Sequence, residues 1–356
     1  MGSVGSMAVW CAHRLGESGA SADVHFNYWR VAQKPGFFRK RKPENDFAEI
    51  GVLIADPKKI ERIRIFVPYR ISAKEIKDCG PYFRSVEIAQ GIFNEPLTSH
   101  LSGPPGPSRV DLMKNGISFC RVHQFALSGE HLDEGQLTLS DEDGGTLVTI
   151  TRHALDEVGY GMTNIYPAYF RIRTLLPSGD PNPFISVTSP HDRWFQSGFE
   201  EIECVDFRLN EARTLPPKIE TLMRTDAALQ PAELKKVAFL TAIPVTAELT
   251  GTSIATHKNR VLEHNIWNSY VADGLPAGMM VYHWRSEKTP VEDFFAFVKL
   301  RIRRSSLRIL LTYLLIAFAF GVLGNLTASR IDAGIASSSN GPQDAKTSAP
   351  SGEKRR

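Results

Sequence analysis

Three short stretches gather side chains able to do acid–base or anion chemistry. His191-Asp192-Arg193-Trp194, after Pro190, joins an imidazole, a carboxylate, a guanidinium and an indole. A carboxylate beside an imidazole suits a general base, and the guanidinium with the indole suits an anionic or planar ligand. His191, Asp192 and Arg193 are therefore the catalytic candidates, and Arg193 and Trp194 the ligand-binding ones. Glu130-His131-Leu132-Asp133-Glu134 adds His131 as a second candidate base, although its polar setting before a hairpin reads as a solvated turn. Tyr282-His283-Trp284-Arg285 reads as an aromatic tie between the domain and the segment that follows.

Other catalytic patterns are missing from the sequence. It contains no Gly-rich phosphate loop, no H-E-x-x-H and no G-x-S-x-G. Cys11, Cys79, Cys120 and Cys204 form no CxxC pair, as expected for reduced thiols in a cytosolic setting. Cys120 and His123 are a lone C-x-x-H on a strand, where alternation puts a packed cysteine and a surface histidine on opposite faces. No metal and no cofactor is implied. A net charge of only +3 does not imply nucleic-acid binding, and Arg39-Lys40-Arg41-Lys42, bracketed by Pro35, Gly36 and Pro43, reads as a solvated loop.

The elements that must position these residues are mostly strands. Phe47 to Ile54 and Val24 to Val31 are short apolar runs, and Glu61 to Pro68 alternates Arg62, Arg64 and Phe66 with Ile63, Ile65 and Val67. Gln136 to Leu139 and Thr146 to Thr151 flank Asp141-Glu142-Asp143-Gly144-Gly145, which predicts a hairpin. Further strands are predicted within Ile117 to Leu127, Tyr169 to Leu175, Ile202 to Leu209, Val237 to Leu249 and Met279 to Trp284. Ser72 with Glu75 is a capping box that predicts a short helix over Ser72 to Asp78; Pro217 to Arg224 and Val261 to Val271 are further helix candidates. Strands outnumber helices without regular alternation, so the fold class is α+β with a mostly antiparallel β domain. The Pro-rich loop over 177–183 is the candidate division into two lobes. Residues 1–22, rich in Gly, Ser and Ala, read as a flexible tail whose apolar patch, Met7 to Ala12, is too brief for a signal peptide.

Near the C-terminus, Ile309 to Ser329 carries no formal charge and follows Lys299, Arg301, Arg303, Arg304 and Arg308. A helix of that length measures about 31 Å, close to the ~30 Å hydrocarbon core of a bilayer. Residues 309–328 are accordingly predicted to be a transmembrane helix, and 329–356 a disordered polar tail. Thr289 as cap, Pro290 as first residue and Glu292-Asp293 in the first turn predict a basic juxtamembrane helix over 290–308, its stripe being Val291, Phe295, Val298 and Ile302. The two helices would then form one rod of roughly 39 residues and about 58 Å. The basic flank puts the β-rich part, residues 23–289, on the cytoplasmic side and the C-terminus opposite. Ala317 and Gly321 form a small-xxx-small pair on which two such helices can approach. The expected partners are a lipid bilayer and either a protein or a second copy of the chain. The expected function is a sensor, adaptor or effector module tethered by its C-terminus; the alternative is a membrane-tethered hydrolase or transferase with its site around His191 and Arg193.

Overall fold

The computed structural model describes residues 5–31, 46–102, 109–161, 166–177, 182–188, 200–227, 231–254, 258–271, 274–276, 278–286, 288–303 and 307–339. In chain order the strands begin with β1 (Ala8–His13), β2 (Ser21–Trp29), β3 (Phe47–Ile54), β4 (Ile60–Val67) and β5 (Ile76–Asp78). Helix α1 (Val86–Phe93) precedes β6 (Leu97–Ser102), β7 (Arg109–Lys114), β8 (Ile117–Val122), β9 (Leu127–Ser128) and β10 (His131–Leu132). The hairpin β11 (Leu137–Glu142) and β12 (Gly145–Ile150) leads into α2 (Arg152–Gly159) and β13 (Ala168–Leu175). After β14 (Ile185–Thr188) and β15 (Glu200–Leu209) come α3 (Pro217–Ala227), β16 (Glu233–Pro244), β17 (Ala247–Thr252) and β18 (Lys258–Val261). The last elements are α4 (His264–Trp267), β19 (Met279–Arg285), β20 (Phe294–Arg303) and α5 (Leu307–Ser339).

Three larger sheets carry the domain. The first has the order β1-β4-β12-β11, the second runs β18-β19-β16-β2-β3-β13-β8-β7-β6 with β5 beside β13, and the third is β14-β15-β20-β17. Pairing is antiparallel as expected, except that β2 lies parallel to β16 and β13 parallel to β8. Inward-facing residues of all three sheets share one core: Val9 and Ile65 of the first, Phe26 and Phe239 of the second, Phe207 and Val298 of the third. There Phe207 stacks on Phe26 and Phe239 with ring centroids 4.2 and 4.7 Å away, so the third sheet is seated on the second by aromatic contact. The far face of the first sheet is covered by α3, whose Ile219 packs with Trp10, Phe66 and Leu147. Arg62 and Arg64, on that face as their alternation requires, meet Asp226 of α3, which also accepts from Trp10 Nε1 at 2.8 Å.

Five expectations are corrected. Residues 8–13 of the supposed flexible tail form β1, buried along its whole length, because a six-residue apolar run is short for a signal peptide but right for a strand. Ser72 and Glu75 do bond reciprocally, Ser72 N–H donating to Glu75 Oε2 at 2.8 Å, but the bond closes a turn that opens into β5 rather than a helix. Within 290–308, Phe294–Arg303 form a strand, β20, rather than a helix, so no continuous juxtamembrane rod exists. The helix instead begins at Leu307 and runs to Ser339, past the end set at 328 and into the stretch read as disordered. Finally, Met1–Arg304 and Ser305–Arg356 are the two compact units, so the 177–183 loop does not divide two lobes.

Candidate functional site

His191, Asp192, Arg193 and Trp194 lie outside the described residues, as do the basic run 39–42 and Arg304. His131 sits half-buried on the two-residue strand β10, while Asp133 caps the next turn by accepting from Gly135 N–H at 3.1 Å. Cys120 is buried as expected, but His123 is buried too, against the expectation of a surface residue. It lies past the end of β8, where strand alternation no longer applies, and pairs with Gln136 Oε1 at 3.0 Å. Among the described residues no group of three or more His, Cys, Asp or Glu is placed to hold a metal. Trp284 and Tyr282 are buried in β19 against β16, so these aromatics tie strands together rather than a helix.

The densest polar constellation carries no short sequence motif. On the side of the second sheet away from the shared core, register places Asn27, Glu49 and Arg173 in one row and His25, Gly51 and Arg171 in the next. Glu49, fully buried, accepts from Arg171 Nη2 at 2.6 Å, Arg173 Nε at 2.8 Å and Trp29 Nε1 at 3.1 Å. Burial alone raises a carboxyl, but the two guanidiniums and their hydrogen bonds outweigh it and hold Glu49 below its ordinary value. Arg171 also donates to Tyr169 Oη at 3.0 Å and Tyr270 Oη at 3.2 Å, and the Tyr169 hydroxyl reaches His25 Nδ1 at 3.2 Å. Gly51 makes room for this chain, since a Cβ there would lie 2.0 Å from Tyr169 Oη. Arg173 is enclosed by the rings of Phe47, Tyr270 and Tyr82 at 4.3 to 5.4 Å. Every charge is paired and every ring packed, so the network is a keystone of the sheet. A shallow depression beside it, lined by Trp29, Trp267, Leu262 and Arg260, has space on the order of one water molecule.

A second buried group sets a pH dependence. Asp78 accepts from Gly80 N–H at 2.8 Å and Phe125 N–H at 3.0 Å, and burial pushes its carboxyl up to about 7. A raised carboxyl binds its proton more tightly folded than unfolded. Its contribution to stability is therefore full below about pH 4 and is lost as pH rises to about 7. Asp78→Asn loses one acceptor at every pH, so the gap between native and variant unfolding free energies is expected to shrink from pH 4 to pH 8, by at most about 4 kcal/mol. A gap that stays constant across that window would mean that Asp78 titrates as an ordinary carboxylate.

The basic cluster is the site element that the structure changes most. In β20 the residues Phe294, Ala296, Val298, Leu300 and Ile302 are buried, while Phe295, Lys299 and Arg301 are exposed and Phe297 is half-buried. Period-two alternation thus places two aromatics and two cations on the outer face of the third sheet. Across the sheet, β15 presents Ile202, Cys204, Asp206 and Arg208 to the same side, with Cys204 opposite Lys299. Asp206 is neutralised there by Arg208 at 2.6 Å. Arg303 closes β20, and Arg308 lies in the first turn of α5. Within α5 a Cβ at Gly321, one turn from Ala317, would meet open space.

No protein-family model matches this chain, and no curated protein does. Among solved structures, the chain is weakly similar to the Fcho1 Mu homology domain of Danio rerio with bound Eps15 peptide, with 9% identity over 82% of each chain and a TM-score of 0.15, a likeness that establishes neither fold nor function.

Proposed function

We propose that this is a single-pass membrane protein, anchored by α5, whose β-rich domain faces the cytoplasm and works as a binding, sensing or adaptor module. The observation that carries the reading is the stretch Leu310–Ile335, 26 residues that contain an 18-residue window of mean hydropathy 1.9, none of it buried. Leu315, Phe318 and Phe320 are 70%, 73% and 67% exposed, and apolar surface of that extent needs a lipid or protein environment. The orientation follows from Lys299, Arg301, Arg303, Arg304 and Arg308 before the span against Arg330 near its far end. A module role fits the open outer face of the third sheet. The enzyme alternative rests on the sequence of residues 191–194 alone.

Two treatments of membranes from expressing cells test the reading. The full chain is expected to stay in the pellet through alkaline carbonate extraction, and protease added to sealed vesicles is expected to digest the β-rich domain only when the cytoplasmic face is outward. Release into the supernatant would remove the anchor, and digestion from the opposite face would invert the orientation.

A further inference from the structure

We infer that the outer face of the third sheet docks flat on the anionic headgroup layer of the membrane that holds α5; the inference rests on the anchor reading above. Four observations carry it. First, the face is open: the alternation along β20 and β15 buries one side of each strand and leaves Phe295, at 56% exposure, with Lys299 and Arg301 toward solvent. Second, its composition is that of a membrane-contacting surface, with aromatic rings suited to the interfacial layer beside cations suited to lipid phosphates.

Third, its charge is net positive, with Lys299, Arg301 and Arg208 against Asp206 and Glu248. The register partners of Lys299 are Cys204 and Gly251, neither of them charged, while Asp206 is already paired with Arg208. The acid at the basic end is Glu248, the register partner of Arg301. Fourth, the order of residues runs from Phe295 and Phe297 through Lys299 and Arg301 toward α5, and only three residues separate the end of β20 from the start of α5. A chain of that length keeps the basic end of the strand beside whatever bilayer receives the helix. The juxtamembrane basic residues thus act as one face of a folded sheet, and they hold the domain in a fixed attitude to the membrane. A helix with the same sequence would have spread them around its axis.

Cys204 supplies the reporter. It is half-buried on this face, opposite Lys299, while the other three cysteines are buried in the domain. The full chain is reconstituted into vesicles of phosphatidylcholine alone or with roughly 30 mol% phosphatidylserine, and the rate of Cys204 modification by a water-soluble maleimide is measured. Each basic residue near an anionic surface biases the equilibrium roughly fivefold. Cys204 is therefore expected to react at least about fivefold more slowly in the anionic vesicles, and salt at about 0.5 M is expected to remove the difference. Lys299→Glu with Arg301→Glu is expected to abolish the protection. Lys299→Glu alone, which disturbs no charged register partner, is expected to reduce it and guards against an effect of misfolding.

Equal rates in the two lipids, with the chain still resistant to carbonate, overturn the docking and leave the anchor standing. Protection that is the same in both lipids and in the variants overturns it in favour of a protein, or a second copy, covering the face. Release of the native chain by carbonate is a failure of the anchor itself.

Discussion

Glu49→Gln is expected to destabilise the β-rich domain by about 3–5 kcal/mol, a large part of what holds a domain folded. Glu49 is the sole described carboxylate bonded to Arg171 and Arg173, both nearly or wholly excluded from water. Neutralising it leaves two guanidiniums buried without a counter-charge, and the amide of glutamine puts a donor where Trp29 Nε1 and the arginines already donate. Arg173→Met should cost less, because the pair Glu49–Arg171 survives with its charges balanced and a methionine can fill the space among Phe47, Tyr82 and Tyr270. Denaturant unfolding followed by tryptophan fluorescence is the direct measurement, since Trp29 bonds to Glu49 and senses the site. A loss below about 1 kcal/mol for Glu49→Gln would show that water or rearrangement relieves the charge, and the network would not be a keystone.

How far the sequence exposes this architecture depends on whether a signal is local. Phe47 to Ile54 is short, β-favouring and ended by turn formers, and it coincides with β3 residue for residue. The hairpin of β11 and β12 is likewise local, with Asp143 and Gly144 taking the positive φ that its turn needs. The segment before the anchor was ambiguous because it is apolar at nearly every position up to Val298. Val291, Phe295, Val298 and Ile302 satisfy a helical spacing, yet Phe294, Ala296, Val298, Leu300 and Ile302 satisfy a strand just as well. The charges decide it: Lys299, Arg301 and Arg303 recur every second residue, a period that helices do not have.

The buried network was also partly legible. Glu49 is the one acid inside an apolar run, and Arg171 and Arg173 alternate with Phe170 and Ile172 in a strand that is otherwise apolar or aromatic except for Thr174. Charges in such positions require partners. What no local pattern contains is that β3 and β13 lie side by side, or that β2 runs parallel to β16 across more than two hundred residues of chain. Those pairings depend on the shared core, in which Phe26, Phe207 and Phe239 must meet.

The largest change in behaviour is expected from α5. Phe318→Arg with Val322→Arg puts two guanidiniums one turn apart near the middle of the apolar span, where each costs about 2.5–3.5 kcal/mol of insertion free energy. The double variant should leave the membrane pellet on carbonate extraction or fail to insert. Thr327→Arg, at the end of the uncharged run Ile309–Ser329 and three residues before the native Arg330, should remain in the pellet because a long side chain there can reach the headgroups. Position rather than charge is thus the variable under test. The span Leu310–Ile335 measures about 39 Å as a helix and exceeds the ~30 Å core, so one end has length to spare and the centre does not. Because α5 belongs to a compact unit of its own, the double variant should leave the tryptophan unfolding transition of the β-rich domain where it was, whereas Glu49→Gln should shift that transition and leave the extraction result unchanged. An arginine pair that stays in the pellet would mean that α5 does not cross the bilayer, and the domain would then have to be held at the membrane by its surface.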